Sequence, residues 1–402
     1  MTTPSTTNAD RLTLPAGFRA AGIHAGIKKN GAKDLALLIT DAPAAVAGVF
    51  TTNKVNAAPV KLCRERMTHR TARAVLINSG NANACTGPGG RKDADRMAEQ
   101  TAACLQVDPQ HVWICSTGSI GFRLPMDIIE HGIRTLAPLP TPEGGNDAAD
   151  AIKTTDLDRK HWTVTLPIEG RTVTVCGIAK GAGMIEPNMA TMLAFLMTDA
   201  HVEPDALQRA LTAAVNQSFN RITVDGDQST NDTVLLLANG LAGPDSPMNE
   251  QHPDWPALVD ALNEVALQLA LKIVDDGEGS NKRITVEIEG AASDEDADKA
   301  ARAIANSFLV KTSWAGAFPI WGRLMDCLGY SGAEVDENNV DIWYNDQHAV
   351  HQGLATGVDL AVLQKVIAQP RFTIRVDMRL GEGRAVIYTC EITEEYVRIN
   401  VT

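Results

Sequence analysis

Aromatic residues make up only 4% of this 402-residue chain, so its core must be built mainly from Ala, Val, Leu and Ile. Basic residues are also in deficit: 36 Lys and Arg stand against 49 Asp and Glu, a formal charge of −13. That balance argues against non-specific nucleic-acid binding, because no cationic excess exists to neutralise phosphates. It leaves room for a small anionic ligand, which needs only one lysine in a pocket. The seven cysteines (Cys63, Cys85, Cys104, Cys115, Cys176, Cys327 and Cys390) are scattered, with no CxxC pair, so neither a disulfide scaffold nor a zinc ribbon is expected. No apolar run approaches the ~20 residues needed to span a bilayer. The opening "MTTPSTTNADRLTLPAG" has neither the basic start nor the apolar stretch of a secretory signal. The expectation is a cytoplasmic protein with no membrane or nucleic-acid partner.

What is present is ordinary for a globular protein: 44% hydrophobic and 21% charged residues. The length suits two or three domains, or one large layered unit. Short strand-like runs alternate with helical patterns. "DLALLITD" (34–41), "ARAVLIN" (72–78) and "HVWIC" (111–115) read as strands. "RKDADRMAEQTAACLQV" and a segment starting near Pro125 read as helices. "HWTVTLPIEGRTVTVCGIAK" has the alternation and central Glu-Gly of a β-hairpin that delivers its second strand to Lys180. Leu207, Leu211, Val215 and Phe219 recur at helical spacing, and "DWPALVDALNEVALQLALKIV" is the longest amphipathic helix candidate. "RFTIRVDMRL", "RAVIYTCEIT" and the closing "YVRINVT" read as β-structure. The mixture predicts an α/β architecture with mixed sheets. The run Met192–Met197 fits a buried strand or a buried helix equally well.

Several familiar sites fail on inspection. "GAGMIE" begins like a dinucleotide fingerprint, but Glu186 stands where the third glycine belongs. GxxxxGK[ST], HExxH and GxSxG are absent. His348 and His351 in "HAVHQG" have HxxH spacing with only Asp346 as a nearby ligand type, so a surface loop is expected there rather than a metal site.

The informative stretch is "KGAGMIEPNMATMLAFLMTDA", in which Thr191 stands where a glycine-rich turn meets a buried run. A buried threonine bonded to backbone is the bland reading. The chemical one is self-cleavage. A hydroxyl in a strained turn attacks the carbonyl before it, an N-to-O acyl shift gives an ester, and water cuts it. The new chain then begins with a threonine whose own α-amine, titrating near ~8, serves as its base. Acyl chemistry also needs donors aimed at an oxyanion. "STGSIG" offers the Thr117 hydroxyl and the unhindered N–H of Gly118.

Taken together, "KGAGMIEPNMATML", "INSGNANACTG", "STGSIG…LPM", "ITVDGDQSTNDTVLLLANG" and "DGEGSNK" fall in the same order as in the ornithine acetyltransferase family, which this chain resembles from about Gly17 onward. The resemblance implies an α/β fold shared with β-aminopeptidases. It implies cleavage between Ala190 and Thr191 into an α chain (1–190) and a β chain (191–402), expected to associate as an α2β2 heterotetramer. It further implies ping-pong transfer of acetyl from N2-acetylornithine to glutamate through an acetyl-Thr191 ester, in arginine biosynthesis.

By the same resemblance, Thr191 is the nucleophile, and Thr117 and Gly118 form the oxyanion hole. Lys180 meets the substrate carboxylate, and Glu278 the cationic amino group of ornithine. Thr154 lines the substrate site, with adjacent Thr155 an open alternative. Asn400 and Thr402 close over the ligand. No metal or bound cofactor is implied, while acetyl-CoA is a possible second acetyl donor. An aminopeptidase-like hydrolase using the same threonine is the competing reading.

Overall fold

The computed structural model describes residues 5–7, 12–186 and 192–401, so Ala190, Thr191 and Thr402 lie outside the described residues. The chain folds as two compact units. The first comprises Met1–Gly181, Pro187–Asn220 and Gln228–Ile273; the second comprises Ala182–Glu186, Arg221–Asp227 and Val274–Thr402. Both units draw on sequence from either side of the Ala190–Thr191 bond. The expected α/β architecture with mixed sheets is present in each.

The first unit is organised by a sheet of nine strands among the described residues. In chain order these are β1 (Ser5–Thr7), β2 (Phe18–Ile23), β3 (Leu35–Phe50), β4 (Thr71–Asn81), β5 (Val112–Ser119), β6 (Lys160–Ile168), β7 (Arg171–Lys180), β8 (Leu193–Thr198) and β9 (Thr233–Ala238). The order across the sheet is β1-β6-β7-β8-β9-β3-β4-β5, with β2 also paired to β3. Every residue of β8 and of β9 is buried. Their unbroken apolar runs fit a strand covered on both faces. This resolves the run Met192–Met197 as a central strand, since Leu193 to Met197 lie within β8.

Alternation along β3 supplies two cores. Ala36 and Leu38 join the cluster containing Phe195, Leu235 and Ile178. Leu35, Leu37 and Ile39 join the opposite one with Leu76, Ile114, Met97 and Ile133. The β6–β7 hairpin is antiparallel throughout, and Glu169 and Gly170 both take positive φ (48° and 76°), the backbone a two-residue I′ turn requires.

Some boundaries differ from the sequence reading. β3 runs on to Phe50, well past Asp41, because a register shift between Ile39 and Ala44 accommodates Pro43, and pairing then passes from β4 to β9. The helix expected from Arg91 begins at Gly87, with Pro88 in its first turn.

The second unit holds a six-stranded sheet, β10 (Arg283–Ala291), β11 (Asp341–Tyr344), β12 (Gln347–His351), β13 (Leu354–Ala355), β14 (Arg371–Asp377) and β15 (Gly383–Cys390), ordered β13-β12-β11-β14-β10-β15. The β10 residues alternate, so Ile284, Val286 and Ile288 face a core completed by Ala297, Ala301 and Ile304 of the helix Asp294–Asn306. Ser293 caps that helix by accepting from the Asp296 N–H, and three acids fill its first turn. The closing segment is a helix, Glu394–Asn400, not the expected strand. Two acids in its first turn and Arg398 in its last match the helix dipole.

Candidate active site

The ends of β4 and β5 run side by side in parallel, with Ser79 opposite Thr117 and Gly80 opposite Gly118. Gly118 has φ +129°, and a Cβ there would lie 2.3 Å from the Gly80 carbonyl carbon, so only glycine fits. Buried amides brace this corner. Asn78 accepts from Ser116 Oγ at 2.6 Å and donates to the Asn81 carbonyl at 2.8 Å. Asn231 donates to the carbonyls of Ala82 (2.6 Å) and Ser116 (2.8 Å). The "STGS" segment therefore continues β5, with its backbone held by side chains rather than left as a free turn.

Lys180, the last residue of β7, is buried and donates through Nζ to Thr117 Oγ1 at 3.2 Å. Two sequence-predicted residues thus meet directly. Asp156 anchors the backbone just beyond. Its buried carboxylate accepts from Gly181 N (2.6 Å), Lys160 Nζ (2.7 Å) and Thr154 N (2.8 Å). Burial pushes the Asp156 carboxyl up, but the Lys160 and Lys180 charges and the hydrogen bonds outweigh it and hold the group well below the usual carboxylate range. Asp156 also separates the two threonines left open by the sequence. Thr154 is drawn onto its carboxylate, whereas Thr155 is exposed.

Two residues of this region escaped the sequence reading. Lys28 donates to the carbonyls of Lys153 (2.6 Å) and Lys33 (2.8 Å), and burial lowers its pKa to about 8 against the opposing pull of Asp34 and Asp156. Asp232 is buried and its Oδ2 has no hydrogen-bond partner among the described residues. It immediately precedes β9, whose parallel register opposes Thr233 to Leu193, with Thr233 N donating to Met192 O at 3.1 Å. Burial drives the Asp232 carboxyl well above its ordinary range, against Ser229, the Lys180 charge and the Met192 N–H. An acid two residues before the apolar run Val234–Ala238 was the available signal.

In the second unit, Glu278 and Asn400 are brought together. Asn400 Nδ2 donates to Glu278 Oε2 at 2.6 Å and to the Tyr396 carbonyl at 2.9 Å. Gly183 packs against this acid, since a Cβ there would sit 2.4 Å from the Glu278 carboxyl carbon. Asp225 accepts from Met184 N (2.6 Å), Ile185 N (2.8 Å) and Tyr396 OH (3.2 Å), tying Ala182–Glu186 to the C-terminal helix. Glu186 accepts from Asn306 Nδ2 at 2.6 Å, which gives this acid a structural anchor.

A buried cation on a threonine hydroxyl, beside a glycine corner at paired strand ends, suits acyl transfer to or from an anionic substrate. Comparison with known proteins is decisive. The ArgJ family profile matches residues 19–402. The chain belongs to the ArgJ family. Among ArgJ relatives, the arginine biosynthesis bifunctional protein of Symbiobacterium thermophilum is 49% identical over 395 residues, covering 98% of each chain. That of Geobacter sulfurreducens is 47% identical, covering 96% of this chain and 98% of its own. A solved chain of the Mycobacterium tuberculosis ornithine acetyltransferase, complexed with ornithine, is 44% identical and covers 47% of this chain and 100% of its own, at a TM-score of 0.43. Among the described residues, no helix is long and apolar enough to cross a membrane.

Proposed function

We propose that this chain is a glutamate N-acetyltransferase of arginine biosynthesis, moving acetyl from N2-acetylornithine to glutamate. The observation that carries the reading is the ArgJ match along almost the whole sequence. Thr191 is the nucleophile: its Oγ attacks the acetyl carbonyl, ornithine leaves, and glutamate then takes acetyl from the Thr191 ester. The free α-amine of Thr191 serves as the base. Thr117 and Gly118 stabilise the oxyanion, a role supported by the rigid β4–β5 corner. Lys180 receives the substrate carboxylate, and Thr154 lines the substrate site. Glu278, steadied by Asn400, receives the ornithine ammonium, and Thr402 closes over the ligand. Acetyl-CoA serves as an alternative donor, and no resident cofactor is required for the acetyl exchange.

The Thr191 nucleophile arises by self-cleavage after Ala190. The sheet supports continued association of the two products, because β8 and β9, from the second product, lie between β7 and β3, from the first. Severing the connection before β8 leaves both ladders intact. The mature enzyme is an α2β2 heterotetramer in the cytoplasm.

Intact-mass measurement before and after incubation with N2-acetylornithine tests the whole reading. Two fragments are expected, broken after Ala190, with one acetyl added to the second. A catalytically competent protein that remains a single chain would refute it. Acetyl-enzyme that loses acetyl to water as fast as to glutamate would instead favour the hydrolase.

A further inference from the structure

The sequence pattern at His348 and His351 suggested a surface loop, with Asp346 the only ligand type at hand. The structure places both histidines on β12, and the acid beside them is Asp341, on β11. Residues three apart on a regular strand face opposite sides of a sheet. Here the β11–β12 register shifts: Trp343 is opposite His348, but Ile342 is opposite Val350. The extra residue, Ala349, changes the phase and turns both rings toward one carboxylate.

Asp341 is fully buried, and its Oδ1 accepts from the Gln352 N–H at 2.7 Å. His351 Nδ1 lies 3.2 Å from Oδ1, and His348 Nε2 lies 3.7 Å from Oδ2. The three ligand-type atoms all fall within 4.8 Å of one another. Neighbouring ligands around a tetrahedral zinc stand about 3.3 Å apart, so only small side-chain adjustments separate this arrangement from a coordination shell. His348 Nε2 is buried and makes no hydrogen bond among the described residues. Its ring is held in place by stacking on Trp343, with centroids 4.5 Å apart and planes 13° from parallel, and Arg375 covers the far face of that indole. His351 is about half exposed, which leaves the cluster open to water as a further ligand.

We propose that Asp341, His348 and His351 form a binding site for one divalent cation of the zinc class, independent of the acyl-transfer chemistry. Two imidazoles and a carboxylate are the donor set that such borderline cations favour. Arg379 also pairs with Asp341 Oδ2. It orients the carboxylate while competing for its charge, so the affinity is moderate and rises when Arg379 is removed.

The test uses the full chain carrying Cys85→Ser and Cys104→Ser, since these exposed thiols bind the same cations. Equilibrium dialysis against buffered Zn2+, with bound metal counted by mass spectrometry, is expected to give one zinc per chain. His348→Gln and His351→Gln should each weaken binding roughly tenfold or more. Arg379→Gln should tighten it, and zinc should alter Trp343 emission in the parent but not in His348→Gln. No bound zinc in the parent, or equal zinc affinity in the parent and both histidine variants, would overturn the proposal and leave a histidine–carboxylate ion-pair cluster only.

Discussion

Gly118→Ala puts one methyl group at the point where the β4 and β5 backbones come closest. The new carbon would lie 2.3 Å from the Gly80 carbonyl carbon, 2.5 Å from Asn81 N and 2.7 Å from the Gly80 Cα. Carbon–carbon contact becomes comfortable only near ~3.5 Å, so the strands must part by about 1 Å. The φ of +129° adds a backbone penalty, because alanine rarely adopts it. Strain and overpacking together cost about 2 to 6 kcal/mol. The expected result is a lowered unfolding midpoint together with a loss of roughly 100-fold in kcat for acetyl transfer, since displacing an oxyanion donor by about 1 Å has an effect of that order. Calorimetry and an N2-acetylornithine–glutamate exchange assay read the two effects separately. A variant with wild-type stability would sink the packing argument. One that is destabilised but keeps full kcat would sink the oxyanion role.

Other residues give sharper contrasts. Asp156→Asn leaves Lys160 buried without its counter-charge and should destabilise the protein by about 3–5 kcal/mol in chemical denaturation at neutral pH. Because the folded Asp156 pKa is depressed, its stabilisation is complete above the unfolded value near ~4 and is lost as pH falls further, so wild type and variant should converge in acid. The lowered pKa of Lys28, about 8, acts in the same direction but in a higher pH window. The unfolded chain holds that proton up to ~10.4, so wild type should gain stability relative to Lys28→Met as pH rises from about 8 to 10; parallel denaturation curves would refute this. Asn400→Ala removes a hydrogen bond to Glu278 and should raise KM for N2-acetylornithine roughly tenfold, with the Thr117–Lys180 corner untouched; an unchanged KM would count against the proposed Glu278 role.

The sequence by itself determined much of the local structure and nominated the residues proposed to carry the chemistry. The positive φ of Gly118, the Glu-Gly hairpin turn and the apolar runs of β8 and β9 are local signals, set by backbone sterics and side-chain periodicity. Motif order pointed to the family. Only tertiary structure could show that Lys180 meets Thr117, because that contact joins residues 63 positions apart. It also revealed Lys28 and Asp232, whose unusual proton affinities come from burial and neighbouring charges rather than from residue type. The closing segment shows the same limit: the apolar spacing in "YVRINVT" fits a strand, yet the segment folds as a helix whose Tyr396 and Asn400 reach Asp225 and Glu278. Periodicity reports which faces a segment offers; the partners those faces meet decide its conformation and the ionisation of what they bury.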